Sequence, residues 1–150
     1  MAADILKDDM KKYGMGIKQV AECTGISLQT LEKWMRDERA LPEYMIFLIE
    51  FQIKYKEENV MPVTELVDRV TDICRKKGVK HLTLFGSFAT GTATKTSDID
   101  FVVYGCKDMI RLEDAMAEIE TLRKIDLFDY DSIHNEYLLE DIEKYGKQIY

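Results

Sequence analysis

Two aspartates separated by one residue, Asp98-Ile99-Asp100, open the apolar run Ile99-Asp-Phe-Val-Val-Tyr104. A short run rich in β-branched and aromatic residues reads as a strand. Side chains alternate across a strand, so both carboxylates are expected on one face and Ile99 on the other. Neighbouring carboxylates repel unless a cation joins them or one takes a proton. Magnesium suits such oxygen donors, because it completes its shell with water and substrate phosphates. Upstream, His81-Leu-Thr-Leu-Phe85 reads as another strand and ends in Gly86-Ser87. Glycine lets the backbone approach a ligand closely, and the Ser87 hydroxyl with nearby N–H groups can hold phosphate oxygens. Gly91 allows a second sharp turn. A third carboxylate, Asp126, lies inside the apolar stretch Ile125-Asp-Leu-Phe128, a setting in which a charge asks for a partner. If that stretch is a strand beside the second one, Asp126 joins the aspartate pair. Two ions could then clamp the attacking and leaving oxygens of an in-line displacement. Asp126 is then a metal ligand, the general base for an acceptor hydroxyl, or both. Asp129 and Asp131 follow closely and are alternatives for the third ligand.

Positioning these groups takes a sheet with helices between its strands. Apolar residues Leu66, Val67, Val70 and Ile73 predict an amphipathic helix over 64–77, ended by Gly78. Strands are expected at 81–85, 99–104 and 125–130, with a short one at 148–150. Helices are expected over 109–124 and 135–145. Strands alternating with helices indicate an α/β sheet. The first part of the chain has a different pattern. Ile5, Leu6, Met10 and Tyr13 predict a helix over 4–13, broken at Gly14 and Gly16. Helical spacing resumes at Ile17, Val20 and Ala21. Thr24-Gly25-Ile26 turns, Ser27 caps the next helix, and Leu31, Trp34 and Met35 form its apolar face. Pro42 suits the first turn of a further helix carrying Tyr44, Met45, Phe47, Leu48 and Phe51. The charged stretch 54–62 marks the boundary between units 1–60 and 61–150, as a linker or as a helix extension.

The six positions Gly86, Ser87, Gly91, Ser97, Asp98 and Asp100, at their spacing, resemble the DNA polymerase beta-like nucleotidyltransferase superfamily. The likeness is to its minimal nucleotidyltransferases and covers roughly 64–150. It implies a small mixed-sheet domain, so the expected fold class is α+β/α/β with an all-α unit in front. It makes Asp98, Asp100 and Asp126 the catalytic and metal-binding residues. Gly86, Ser87, Gly91 and Ser97 become nucleotide-binding, with two Mg2+ ions and ATP or another nucleoside triphosphate. One position departs from the pattern: many members carry Arg where this chain has Thr90, and Lys95 is either a substitute cation or a solvated loop lysine.

Residues 17–36 resemble a helix-turn-helix of the Cro/phage-repressor type. In that family the second helix would turn Ser27, Leu28, Gln29, Glu32 and Lys33 towards the DNA groove, and Ser27, Gln29 and Lys33 are the candidate DNA contacts. The expected activity is Mg-dependent transfer of a nucleoside monophosphate, AMP from ATP, to a hydroxyl. In similar minimal proteins the acceptor is often a partner protein, as in antitoxins that adenylylate a HEPN-family toxin ribonuclease. The alternative is an operator-binding regulator or partner-binding protein whose transferase domain senses nucleotide or is inactive.

Bulk properties set outer bounds. The 150 residues are 46% hydrophobic and 33% charged, with a net charge of −7. That acidity disfavours broad non-specific nucleic-acid binding. No run is long and apolar enough for a membrane span, and no secretory signal opens the chain. Cys23, Cys74 and Cys106 are too scattered for a metal knuckle or disulfide framework, which with the missing signal points to the cytoplasm.

Overall fold

A helix that is apolar on most of its sides must sit at the centre of a cluster. In this computed structural model, which describes residues 2–55 and 60–150, that helix is α4 (Met45–Lys54). Met45, Leu48, Ile49, Phe51 and Ile53 are buried on it. Helices α1 (Ala2–Lys12) and α2 (Ile17–Thr24) pack against α4, and α3 (Leu28–Arg36) packs against α2. The turn between α2 and α3 is read correctly from local chemistry. Gly25 takes φ 74° and closes α2 by donating its N–H to the Ala21 carbonyl at 2.9 Å. The Ser27 hydroxyl caps α3 by accepting the Thr30 N–H at 3.2 Å. Pro42 stands just outside its helix: its carbonyl accepts the Met45 N–H, and α4 starts only there. The charged stretch expected to mark the boundary includes 56–59, which lie outside the described residues.

The chain divides between Leu66 and Val67, inside α5 (Val63–Lys76), and later than the boundary expected at 60/61. Buried polar groups tie the start of α5 to the first unit. The Gln52 amide donates to the Cys23 carbonyl at 3.2 Å and its oxygen accepts the Val63 N–H at 2.9 Å. The Thr64 hydroxyl donates to the Thr24 carbonyl. Gln52→Ala strands the Val63 N–H and the Cys23 carbonyl and is expected to lower stability by about 1–3 kcal/mol in denaturant melts. Asp9 on α1 has the opposite effect. Burial and the nearby Glu50 carboxylate push it up to about 6, and its Oδ2 is buried with no partner. The folded state therefore holds extra proton between the ordinary carboxylate value and pH 6, and stability falls as pH rises through that window. Asp9→Asn is expected to raise the melting temperature at pH 7 by a few degrees, and less at pH 4.5.

The second unit holds a four-stranded mixed sheet in the order β3-β2-β1-β4. Strand β1 (His81–Phe85) runs antiparallel to β2 (Ile99–Tyr104) and to β4 (Lys147–Gln148). Strand β3 (Ile125–Asp129) lies parallel to β2 at the sheet edge. Its core is built from Leu82, Leu84, Phe88, Ile99, Phe101, Val103 and Leu112, with Val67, Val70 and Cys74 of α5. Burial pushes the Cys74 thiol up to about 12, which leaves it unreactive.

The helix expected over 109–124 is shorter. Helix α7 runs Met109–Ala117, capped by the Asp108 carboxylate on the Arg111 N–H. Its end tightens through bonds from Glu118 and Ile119 back to Ala115 and Met116. Leu122, inside the range expected to be helical, is 99% exposed. The chain must return to the starting end of the sheet to run parallel to β2, and α7 followed by 118–124 forms that crossover. A parallel crossover by a helix is the ordinary solution. Residues 87–90, between Gly86 and Gly91, form the one-turn helix α6 (Ser87–Thr90). Helix α8 (Glu136–Tyr145) starts as expected, with the Asn135 side chain accepting from Tyr137 and Leu138. The last strand starts one residue earlier than expected, and its backbone pairing with Leu82 continues through Ile149 and Tyr150. Among the described residues no helix is long and apolar enough to cross a membrane.

Candidate active site

The topology gathers three chain segments at one end of the sheet. Strand β1 ends where β2 begins because the two are antiparallel, and Phe85 pairs with Asp100. Strand β3 begins at that same end because it is parallel to β2, and Asp100 pairs with Asp126. Directly paired residues in a ladder put their side chains on the same face. Asp100 and Asp126 therefore stand side by side, next to the turn at Gly86-Ser87.

Their electrostatics match that placement. Asp100 is pushed up to about 6, first by burial, then by the charge of Asp126 and a hydrogen bond to it, then by Asp98. The Lys124 ammonium opposes the shift and lies 3.4 Å from the Asp126 carboxylate. Asp98 lies in the loop just ahead of β2; its side chain is exposed and its charge acts on Asp100. Among the described residues no group of three or more His, Cys, Asp or Glu side chains is placed to hold a metal ion. The pair Asp100 and Asp126 is nevertheless the donor set that magnesium uses when substrate phosphates supply the remaining oxygens. Asp129 and Asp131, the other candidates for third carboxylate, sit at the far end of β3. Asp129 pairs at Val103, and Asp131 accepts the Gly105 N–H at 3.2 Å.

Gly86 has a steric reason to be glycine. At φ 72° and ψ −152° it occupies backbone space that other residues avoid. A Cβ added there would collide with the Asp100 carboxylate oxygen. The Gly86 carbonyl accepts from Ala89 and Thr90 and starts α6, with Ser87 as its first residue. Gly91 ends α6 with its N–H on the Ser87 carbonyl. Thr90, where the resemblance leads one to look for Arg, turns its hydroxyl back onto its own loop and meets the Thr92 hydroxyl at 2.9 Å. The Ser97 hydroxyl accepts the Thr94 N–H at 2.8 Å, so it shapes the loop ahead of Asp98. Lys95 is exposed.

Arg123 was not singled out from sequence. Its guanidinium donates to the Ser97 carbonyl at 2.8 Å and the Lys95 carbonyl at 3.3 Å, and lies 5.3 Å from the Phe88 ring centre. It braces the 92–98 loop against α6 and the start of β3. Its partners lie far away in sequence, so no local pattern marks it. Arg123→Ala is expected to loosen Asp98 and cut transfer about 10-fold or more while costing about 1–2 kcal/mol of stability. Arg123→Lys, which keeps charge without the fork, recovers little of either. Steady-state kinetics beside thermal melts check both.

In the first unit, Gln29, Glu32, Lys33 and Arg36 are exposed on one side of α3, while Ser27 spends its hydroxyl on the cap.

Residues 68–150 match the family model described as polymerase beta, nucleotidyltransferase. Two proteins of Methanocaldococcus jannaschii, both named as putative protein adenylyltransferases, are similar to part of the chain. One is 34% identical over 79 residues, 49% of this chain and 84% of its own. Another is 39% identical over 94 residues, 58% of this chain and 94% of its own. A toxin–antitoxin crystal structure with AMP-PNP superimposes with a TM-score of 0.46 at 24% identity, over 55% of this chain and 71% of that one. The family match spans more than half of the chain and takes in Gly86, Ser87, Asp98, Asp100 and Asp126, so the chain belongs to the polymerase beta nucleotidyltransferases.

Proposed function

We propose that this nucleotidyltransferase moves AMP from ATP to a hydroxyl on a partner protein. The observation that carries the proposal is the pairing of Asp100 with Asp126 beside the Gly86-Ser87 loop. The protein-adenylyltransferase names of its relatives support AMP and a protein acceptor. Gly86, Ser87 and Gly91 shape the loop for the triphosphate, and Ser97 sets the path of the chain into Asp98. Asp100 and Asp126 hold Mg2+, with Asp98 reaching in from the loop; the cation, when bound, neutralises phosphate charge and orients the donor. The acceptor oxygen attacks the α-phosphorus. An O–P bond forms, the α–β phosphoanhydride bond breaks, pyrophosphate leaves, and the hydroxyl proton passes to Asp126. Resemblance to minimal nucleotidyltransferases supports a HEPN-type toxin ribonuclease as the acceptor, with this chain as its antitoxin.

The test is incubation with labelled ATP, Mg2+ and the protein encoded beside it. Label is expected on the partner and absent with Asp98→Asn of intact fold. No transfer, together with no nucleotide binding by calorimetry, overturns the reading. Because Asp100 holds a proton below about pH 6, Mg2+ affinity is expected to fall as pH drops through that value.

The exposed face of α3 favours a second role for residues 1–60 as a helix-turn-helix on operator DNA, with Gln29 and Lys33 as contacts. A gel shift with the protein's own promoter tests it; no shift at low salt refutes it.

A further inference from the structure

Strand β3 has a neighbour on one side only among the described residues. Its register with β2, and the bond from the Ile99 N–H to the Lys124 carbonyl, decide which groups are engaged. Asp126 and Phe128 direct their backbone N–H and C=O towards β2; Ile125 and Leu127 direct theirs outward. Along that outward edge runs a groove of about 370 Å³ lined by Ile125, Asp126 and Leu127, by Met116 and Ala117 of α7, and by Arg123. An edge of free backbone groups beside a half-apolar groove is what an extended peptide pairs with. The same groove contains Asp126, the carboxylate that takes the hydroxyl proton in the proposed transfer.

We infer that the acceptor enters as an extended segment that adds a strand to the β3 edge, with its hydroxyl residue opposite Asp126. This rests on the transferase reading and names how its substrate binds. Main-chain bonds to Ile125 and Leu127 set the register. In antiparallel pairing, the residue opposite Asp126 occupies the position without main-chain bonds, its Cα about 4.5 Å away. Its side chain rises on the Asp100–Asp126 face of the sheet. The residues on either side of it turn to the other face, over Met116, Ala117, Ile125 and Leu127, and are therefore apolar. The substrate class is a strand-forming segment with Ser, Thr or Tyr between two apolar residues. The transfer balances as above: the hydroxyl oxygen gains phosphorus, pyrophosphate leaves, and the proton goes to Asp126.

The probe is a synthetic heptapeptide with tyrosine at its centre, valines beside it and lysines at its ends, mixed with the full chain. A twin carries N-methyl groups on the amides that an added strand uses. Hydrogen exchange read by NMR is expected to slow at least 10-fold at the Ile125 and Leu127 amides with the first peptide. It is expected not to change with the twin. In the transfer assay the twin loses at least 10-fold in kcat/KM, and Ala117→Arg raises the KM of the first peptide. Unchanged exchange at saturating peptide, or equal transfer to both peptides, overturns the inference. Loss of ATP binding in Ala117→Arg also overturns it, because the groove then holds the nucleobase. Edge protection that depends on protein concentration without peptide overturns it as well, because two copies are then pairing. Wild-type protein that neither binds ATP nor releases pyrophosphate refutes the transferase reading itself, whatever the exchange data show.

Discussion

Asparagine in place of Asp100 is expected to stop AMP transfer and at the same time make the protein more stable. The two effects share one cause. Asp100 is held beside Asp126 in a half-buried position, and burial plus that neighbour push it up to about 6. At neutral pH the fold therefore keeps a carboxylate ionised against its local environment. Asparagine removes the charge and can still donate to Asp126. The sign with pH follows from proton counting. Between the ordinary carboxylate value and about 6, the folded state binds more protons than the unfolded chain, so stability falls as pH rises. Above that window the full penalty is present. The gain from Asp100→Asn is accordingly largest at pH 7 and above, and it shrinks towards pH 4.5. After discounting for partial exposure, it amounts to about 1 kcal/mol, or about 2–4 °C. Loss of a carboxylate from the catalytic pair is expected to cut transfer by about 10³-fold or more. Melts at pH 7.5 and 4.5, run beside the label-transfer assay, check both parts. A variant that is less stable at pH 7.5, or that keeps a tenth of the activity, would show that the carboxylates do not compete in the way the register implies.

Gly86→Ala carries the second large effect, with the opposite sign for stability. The position costs about 1–3 kcal/mol for any residue with a side chain, given its φ of 72° and ψ of −152°. Its methyl group would also occupy the space of the Asp100 carboxylate. Either the loop or Asp100 must move, and both belong to the site. Transfer is expected to fall about 100-fold or more, since small misplacements of reacting groups are costly. Gly25→Ala is the control. That glycine has a similar φ of 74°, with nothing within 4 Å of an added Cβ, and lies in the first unit. Its ψ of 5° puts it in the left-handed region that other residues enter at modest cost, so it is expected to lose less stability than Gly86→Ala and keep its transfer rate. Equal activity losses in the two variants would show that the Gly86 effect is a loss of fold and not a displacement of Asp100.

The family match spans 68–150, which includes the residues that the fold brings to one end of the sheet. Relatives named as putative protein adenylyltransferases are similar over 49% and 58% of the chain. Thr90 stands where the resemblance leads one to look for Arg, and two other cationic residues lie near the carboxylates and their loop. Lys124 pairs with Asp126, and Arg123 fastens the loop that carries Ser97 and Asp98.

Some of this was readable from the chain alone. The Ser27 cap, the Gly25 turn, the starts of α7 and α8 and the three main strands depend on signals within a few residues of each other, where helical or alternating periodicity and capping chemistry act. The spacing of Gly86, Ser87, Asp98 and Asp100 is local in the same sense. Asp126 was legible only conditionally, because its meeting with Asp100 needs β3 to pair with β2 in one register. A slip of one residue would turn it to the opposite face. The end of α7 at Ala117 was missed because helix period continued in the sequence after the crossover had to turn back. Arg123 and the Gly86–Asp100 contact were missed because neither leaves a pattern near its own position. Their partners are brought in by the sheet, and contacts between distant segments are chosen by packing and register, which no local periodicity encodes. The sequence thus determined the chemical groups and most of the elements carrying them; the tertiary structure decided which carboxylates stand together, which arginine braces them, and which strand edge lies open beside them.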